Sequence, residues 1–269
     1  DMALFSVGTE GVATFDVTDP TNPVDFNQAT TAINAHGFFI QEPADPDDPF
    51  IMVLAEDWKG VRFFTSDPEF PGVLAYGGVF AETYGDALDV QLKNGYAYVA
   101  DDQAGLTVLD ARVIALGAVV KVEEAWRDTP GNAVALDIEG DHIFVADKRK
   151  GMAIFDISDP VDPVHIFQMP LDSWALDIEV RDGKAFIASD DAGLHIVDVS
   201  NPAHPIYMGN VRSANATGVA LREDGLVLLT DEDDGLRIMQ GPAFDDESAP
   251  AAIHHLSGEP LSTTSVALT

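Results

Sequence analysis

Four polar residues stand at corresponding places in successive repeats of the sequence and could together bind a hard cation. Counting back from each predicted second strand gives one level that contains His36, Asp89, Asp137, Asp177, Val219 and Val266. Three carboxylates and an imidazole that converge at this level could hold Ca²⁺, with water completing its coordination shell. Without a cation, three unpaired buried carboxylates would repel one another. In the alternative interpretation, each aspartate accepts hydrogen bonds from backbone amides of its own repeat or the next. The sequence leaves both interpretations open.

A second candidate calcium site lies in an acidic connection. The segment Gln41–Pro49, QEPADPDDP, is longer than the corresponding connections and contains three prolines. Long loops in compact folds are often functional. Asp45, Asp47 and Asp48 could bind calcium at the surface or contact a partner, and a solvated acidic insertion explains them equally well.

Other acidic residues are explained by turns. One set precedes the glycine of each repeat: Glu56, Asp57, Asp101, Asp102, Asp147, Asp190, Asp191 and Asp231 to Asp234. Aspartate tolerates left-handed backbone and bonds locally, so we interpret this set as turn residues without a ligand. A further three, Asp16, Asp156 and Asp198, are expected to cap the turn that follows them.

The sequence carries no signature of a catalytic site. It contains no G-x-S-x-G, no H-E-x-x-H, no phosphate-binding glycine loop and no cysteine. We therefore assign no catalytic or cofactor-binding residue, although propeller hydrolases can assemble sites from scattered loop residues. Trp58, Trp126 and Trp174 occupy different places in their repeats, which predicts individual packing rather than an aromatic ladder.

The charge balance excludes several classes of partner. The 269 residues include 46 Asp and Glu against 14 Lys and Arg, a net charge of −32. Such a field repels nucleic acid and attracts cations, and the basic cluster Lys148–Lys150 is too small to reverse this. No apolar stretch approaches the roughly 18 to 20 residues of a membrane span, so we expect no membrane insertion. Self-repulsion of this size suggests a saline or calcium-containing setting.

The elements that position these residues come from an internal repeat. Its glycines, Gly11, Gly60, Gly105, Gly151, Gly193 and Gly235, are 49, 45, 46, 42 and 42 residues apart. Each clear unit contains four short strand-like runs separated by turn residues, and no helix-period segment intervenes. The spacing and the strand content predict an all-β fold, a six-bladed β-propeller of four-stranded antiparallel blades.

The two ends of the chain are predicted to close this ring. Thr264–Leu268 resembles a first strand, and Ala3–Val7 resembles the second strand of an incomplete unit. Joining them would remove an open sheet edge, although the last strand could instead complete a blade of another subunit. The predicted blades of this single domain, 1–269, are residues 1–32 plus 260–269, 33–84, 85–131, 132–172, 173–214 and 215–259.

The third strand and its turn carry a family resemblance. The pattern G-[LMV]-x-[IV]-[FV]-D-[IV]-[ST]-[DN]-P resembles the LVIVD repeat, and HIVDVSNPAHPIYMG is the best match. The match weakens in units two and six, where Thr65 and Gln240 replace the aspartate. The resemblance implies an extracytoplasmic or cell-surface propeller, and it does not imply an enzyme. Cytoplasm of a salt-accumulating organism is the alternative location.

Together these observations favour a non-catalytic extracellular or cell-surface propeller that serves as a structural, adhesive or protein-interaction module. Calcium as its ion, and self-association or another surface protein as its partner, are parts of this hypothesis. The alternative hypothesis is a calcium-dependent propeller hydrolase that acts on phosphate esters or glycosides, for which fold and charge are the only support.

Overall fold

The computed structural model describes residues 2–19, 21–29, 34–41, 50–66, 79–112, 123–222, 224–240 and 253–256. These residues form 23 strands in six antiparallel sheets, and no helix occurs among them. None of the described residues therefore belongs to a helix that could cross a membrane. The chain divides into two compact units, Asp1–Asp128 and Thr129–Thr269. The predicted fold class, an all-β six-bladed propeller, is confirmed.

Unit 1 contains three sheets, which we number as blades 1 to 3. Blade 1 is formed by β1 (Met2–Ser6), β2 (Val12–Asp16) and β3 (Val24–Ala29). Blade 2 is formed by β4 (Phe38–Gln41), β5 (Ile51–Ala55), β6 (Val61–Thr65) and β7 (Val79–Ala81). Blade 3 is formed by β8 (Asp89–Lys93), β9 (Tyr96–Ala100), β10 (Leu106–Asp110) and β11 (Glu123–Arg127).

Unit 2 contains blades 4 to 6. Blade 4 is formed by β12 (Ala135–Glu139), β13 (His142–Ala146), β14 (Met152–Asp156) and β15 (Val164–Met169). Blade 5 is formed by β16 (Asp177–Arg181), β17 (Lys184–Ser189), β18 (Gly193–Asp198) and β19 (Ile206–Val211). Blade 6 is formed by β20 (Ala216–Leu221), β21 (Leu226–Asp231), β22 (Gly235–Gln240) and β23 (Ile253–Leu256).

The middle strands of the blades are largely buried and apolar on both faces. In blade 3, every residue of β9 and β10 is buried. The buried clusters join adjacent blades of one unit, such as Val61 of blade 2 with Val99 of blade 3, and Ile154 of blade 4 with Ile187 of blade 5. This two-sided burial explains why the third strands lack strict alternation in the sequence.

Local turn chemistry sets the strand boundaries. The hairpins between first and second strands turn at Asn94-Gly95 in blade 3 and Asp182-Gly183 in blade 5, and all four residues have positive φ. Two successive left-handed residues match a type I′ turn, whose twist suits a two-residue hairpin. The predicted capping by aspartate is also confirmed, since backbone amides of Thr18, Ser158 and Ser200 donate to Asp16, Asp156 and Asp198 at 2.9, 2.8 and 2.9 Å.

The repeat glycine is required by a close approach of two strands. Gly151 has a φ of +82°, and a Cβ added there would lie 2.2 Å from the carbonyl oxygen of Met169 on the outermost strand. Gly60 and Gly193 make the same approach, to Ala81 and Val211 at 2.3 and 2.2 Å. No side chain fits there, so this glycine recurs as the most regular landmark of the repeat.

The predicted closing strand, Thr264–Leu268, lies outside the described residues. Ring closure through Ala3–Val7 and the exchange of this strand between subunits therefore both stay predictions. The predicted blade boundaries also stay predictions.

Candidate functional site

The predicted calcium ligands Asp137 and Asp177 lie on the first strands of blades 4 and 5, which contact each other. Asp177 accepts hydrogen bonds from the backbone amides of Ile178 in its own strand, at 2.9 Å, and Val219 in blade 6, at 2.8 Å. Asp137 repeats this arrangement with Ile138 at 2.7 Å and Val180 of blade 5 at 2.7 Å. Both carboxylates therefore tie one blade to the next, as the alternative interpretation expected.

The strand register separates the two aspartates along the strand. Asp177 pairs with Ala188, and Asp89 pairs with the corresponding Ala100 of blade 3. In blade 4 the corresponding pair is Ala135 with Ala146, and Asp137 pairs with Phe144, two residues nearer to the hairpin turn. The Ala-Leu-Asp triplet is thus displaced by two residues in blade 4. Because side chains alternate with a period of two, Asp137 keeps the same face of its strand but leaves the predicted level.

Burial makes these carboxylates harder to ionise. Removal from water, with the nearby charge of Asp137, raises the pKa of Asp177 to about 6. Removal from water also raises the pKa of Asp137, and the charge of Glu139 adds to this effect. The amide donors oppose both shifts because they stabilise the charged form. A divalent cation here would likewise favour the ionised carboxylates.

The other two predicted ligands belong to unit 1. Asp89 accepts from the amide of Val90 at 2.8 Å, and its Oδ1 would lie 2.2 Å from a Cβ placed on Gly37, the residue after His36. Burial lowers the pKa of His36, and the charges of Asp57 and Asp86 oppose this shift. The first strand of blade 2 thus brings His36 close to the first strand of blade 3.

The calcium hypothesis stays a prediction at both proposed places. Among the described residues, no group of three or more His, Asp or Glu side chains is arranged to hold a metal ion. Asp45, Asp47 and Asp48 lie outside the described residues, so the surface-loop site cannot be placed.

The acids that end the second strands differ from the interpretation as simple turn residues. Asp57, Asp102 and Asp190 do adopt the left-handed backbone expected of a turn. The residue before each turn, however, is buried: Glu56, Asp101 and Asp147 have 0% relative exposure and Asp231 has 4%. Glu56 forms an ion pair with Arg62 of its own blade at 2.9 Å, whereas Asp101, Asp147 and Asp231 accept backbone amides of the loop that enters their blade.

Asp101 shows how such an acid acts. Its Oδ2 accepts hydrogen bonds from the amides of Tyr84 and Gly85, at 3.0 and 3.1 Å, and from the hydroxyl of Thr107 at 2.8 Å. Tyr84 and Gly85 belong to the loop between β7 of blade 2 and β8 of blade 3. In blade 4, Asp147 accepts from the amide of Gly131 at 3.0 Å in the corresponding loop. The buried acid thus fastens the loop that enters its own blade.

Blade 5 fastens its entry loop with a different polar group. Ser189 stands where blades 2, 3, 4 and 6 have an acid, and its hydroxyl donates to the carbonyl of Trp174 at 3.2 Å. His195 on β18 is buried, with 1% exposure. The Nδ1 atom of His195 lies 2.9 Å from the hydroxyl of Tyr207, and its Nε2 lies 3.1 Å from Oδ1 of Asp172 in the loop before β16. The Asp172 side chain is 76% exposed. A buried imidazole therefore contacts an exposed carboxylate from the interior side.

A pocket of about 210 Å³ opens beside Asp172. It is lined by Arg149, Leu171, Asp172, Ser173 and Trp174. Trp174 is 40% exposed, and the guanidinium carbon of Arg149 lies 4.6 Å from its ring centroid. Ser173 directs its hydroxyl to Asp191. The pocket thus offers a cation, a carboxylate and an aromatic ring within unit 2.

This second site was not predicted from the sequence. Its signals were the serine at Ser189 and a loop, Leu171 to Trp174, that breaks the Thr-x-Gly form of the loops at Thr83 and Thr129. The tryptophans do make different contacts, as predicted, with Lys59 beside Trp58 and Tyr84 beside Trp126. All three are nevertheless exposed, at 65%, 44% and 40% for Trp58, Trp126 and Trp174.

Comparison with known proteins identifies the repeat. Residues 84–111, 130–169 and 174–213 match the LVIVD repeat family. No curated protein matches the chain.

Two solved structures have a similar fold. A functionally unknown protein from Desulfotomaculum acetoxidans has a TM-score of 0.73 at 12% identity, covering 95% of this chain and 80% of that one. The computationally designed Ika8 protein has a TM-score of 0.66 at 10% identity, covering 100% of this chain and 75% of that one. At these identities the likeness concerns the fold alone.

Proposed function

The chain carries LVIVD repeats on a six-bladed β-propeller, and from this we propose that it is a non-catalytic extracellular or cell-surface module with an adhesive or protein-binding role. The observation that supports the proposal most directly is the use of its carboxylates. Asp137 and Asp177 each accept amides from two blades, and Asp101 and Asp147 each fasten a loop. Acids committed to such bonds serve a rigid scaffold rather than proton transfer.

The surface chemistry supports a binding role. Trp58, Tyr84 and Trp126 of unit 1 are 65%, 62% and 44% exposed. All three follow or end strands at the same end of their blades, where second strands finish and first strands begin. Aromatic residues at the surface supply large contact areas with little loss of conformational entropy, which is why they are enriched at binding sites.

Calcium, self-association and the extracellular location belong to the same proposal. A net charge of −32 attracts cations and favours a medium rich in salt or calcium. The partner in this proposal is another surface protein or a second copy of the chain, joined by exchange of the last strand. Fractionation of the source cells with an antibody against the chain tests the location, and recovery in the cytoplasm alone would contradict it.

An activity screen tests the non-catalytic role. The purified chain is incubated with phosphate esters and glycosides, with and without CaCl₂, and we expect no turnover above that of a heat-denatured sample. His36→Ala and Asp137→Ala are the informative variants, since both residues belong to the polar set that the sequence predicts as cation ligands. Calcium-dependent turnover that disappears in either variant would overturn the proposal in favour of the hydrolase.

A further inference from the structure

The loop into blade 5 departs from a pattern that the loops into blades 3 and 4 share. The loops into blades 3 and 4 place a glycine amide, of Gly85 or Gly131, on a buried aspartate of the next second strand. In the loop into blade 5, Ser173 and Trp174 replace the small Gly-Asp and Gly-Asn pairs, and Ser189 replaces the aspartate. A concerted departure from a structural rule at one place in a repeat protein is typical of a functional site.

Ser189 still holds the loop backbone, since its hydroxyl donates to the carbonyl of Trp174 at 3.2 Å, and His195 adds a contact to an exposed group. His195 is fixed on one side by the hydroxyl of Tyr207 and contacts the Asp172 carboxylate on the other, at 2.9 and 3.1 Å. Ordering an exposed side chain costs entropy, and a buried support reduces the part of this cost that falls on ligand binding. Asp172 is therefore a preorganised acceptor at the surface.

The same groups are poorly suited to catalysis. Burial raises the pKa of the Tyr207 hydroxyl, with the charge of Asp172 adding to the shift, and burial lowers the pKa of His195. The tyrosine is thus no activated nucleophile. Glycoside hydrolysis needs a pair of carboxyl groups; Asp172 lines the pocket, while the second acid beside it, Asp191, accepts the hydroxyl of Ser173. The arrangement fits binding without turnover.

The composition of the pocket indicates the class of ligand. Arg149 and Asp172 both line it, so one positive and one negative charge face the ligand. A simple anion would be repelled by Asp172, and a simple cation would be repelled by Arg149. The net charge of −32 further disfavours anions, but it leaves neutral molecules unaffected. A neutral ligand must then use hydrogen bonds to both groups and an apolar face against Trp174, which is the chemistry of a sugar ring with its hydroxyl groups.

We propose that the pocket lined by Arg149, Asp172 and Trp174 binds a neutral saccharide residue. Asp172 accepts hydrogen bonds from sugar hydroxyl groups, Arg149 donates to them, and Trp174 contacts an apolar face of the ring. His195 acts as a positioning residue for Asp172. This inference rests on the proposed adhesive function and names its ligand class.

A titration of the whole chain tests this site. Neutral methyl glycosides of glucose, galactose, mannose, fucose and N-acetylglucosamine are added while the indole N–H signals are followed by NMR. We expect at least one sugar to shift the Trp174 signal with saturation, and Trp174→Ala to abolish binding. Val164→Ala, which removes an exposed apolar side chain of blade 4 that takes no part in the pocket, is the matched control and should leave the affinity unchanged.

The support for Asp172 is tested separately. Asp172→Asn and His195→Phe should each lower the affinity for the sugar that binds by about tenfold or more. This is the loss expected when a charge-assisted hydrogen bond or its support is removed. A circular dichroism spectrum and melting curve verify that each variant is folded. If His195→Phe does not fold, His195→Gln replaces it and should show the same weakening.

Several outcomes would overturn the saccharide site. These are no shift of Trp174 with any sugar, equal loss in Val164→Ala, unchanged affinity in Asp172→Asn, or a response to zwitterionic glycine or an acidic peptide alone. If no sugar binds, the non-catalytic proposal still stands, since that proposal is tested by the screen for turnover. Turnover lost in His36→Ala or Asp137→Ala would overturn the proposed function and leave sugar binding at Trp174 measurable.

Discussion

At the scale of single residues, the same side chain serves different purposes according to its neighbours. Asp177 accepts two backbone amides and holds blades 5 and 6 together, while Asp198 in the same blade caps an exposed turn. Asp172, also next to blade 5, is exposed to solvent and lies 3.1 Å from a buried histidine. Residue type alone indicates an acid, and its partners determine whether that acid is a clamp, a cap or a binding group.

The raised pKa of Asp177 gives a prediction for this scale. Because its pKa is about 6 in the folded protein and near 3.8 when unfolded, the folded state binds the extra proton between these values. Its contribution to stability is therefore complete below about pH 3.8 and is lost as pH rises through about 6. We expect a carboxyl ¹³C titration to give a midpoint near 6 for Asp177.

Variants in the same two blades make the titration specific. Asp137→Asn should lower the midpoint of Asp177, because it removes a neighbouring negative charge. Asp182→Asn, in the exposed hairpin turn of blade 5, should leave it unchanged. A large fall of the midpoint on addition of CaCl₂ would support calcium at these carboxylates, and a midpoint near 3.8 without calcium would contradict the burial argument.

At the scale of elements, the close approach of strands explains the repeat better than any single contact. Gly151 and Gly225 share a φ of +82°, but a Cβ meets Met169 O at 2.2 Å at the first and nothing within 4 Å at the second. Gly151→Ala should therefore cost about 1–3 kcal/mol more than Gly225→Ala, the extra cost being that of overpacking.

Urea unfolding of both glycine variants measures this difference. Their shared left-handed backbone cancels in the comparison, so the remaining difference in unfolding free energy reports the approach of β14 and β15. Equal destabilisation by the two substitutions would show that backbone conformation alone, and not strand packing, selects glycine in the repeat.

At the scale of the whole molecule, the net charge of −32 opposes the compact state. Screening should stabilise the fold, so the melting temperature should rise as NaCl is increased from low to about 1 M. Melting curves in NaCl and CaCl₂ at equal ionic strength separate two explanations. A larger rise in CaCl₂ supports bound calcium, equal rises support screening alone, and no rise in either salt would contradict the argument from self-repulsion.

Much of the fold was predictable because its information is local or periodic. The glycine spacing, the Asn-Gly and Asp-Gly hairpins and the aspartates of the Asp-x-Ser/Thr turns all act within a few residues, and they predicted the strands and the blades. The two-sided burial of third strands was likewise visible as apolar runs. These features follow from backbone geometry and burial, which depend little on distant sequence.

The candidate sites were decided by contacts that only tertiary structure makes. Asp137 shares its Ala-Leu-Asp triplet with Asp177, yet pairing with Phe144 places it two residues along its strand. His195 and Asp172 meet although 23 residues separate them, and Arg149 reaches Trp174 from another blade. The sequence by itself determined six repeats and their strands. Which polar groups meet depended on strand register and on blade packing, because these join residues that no local pattern connects.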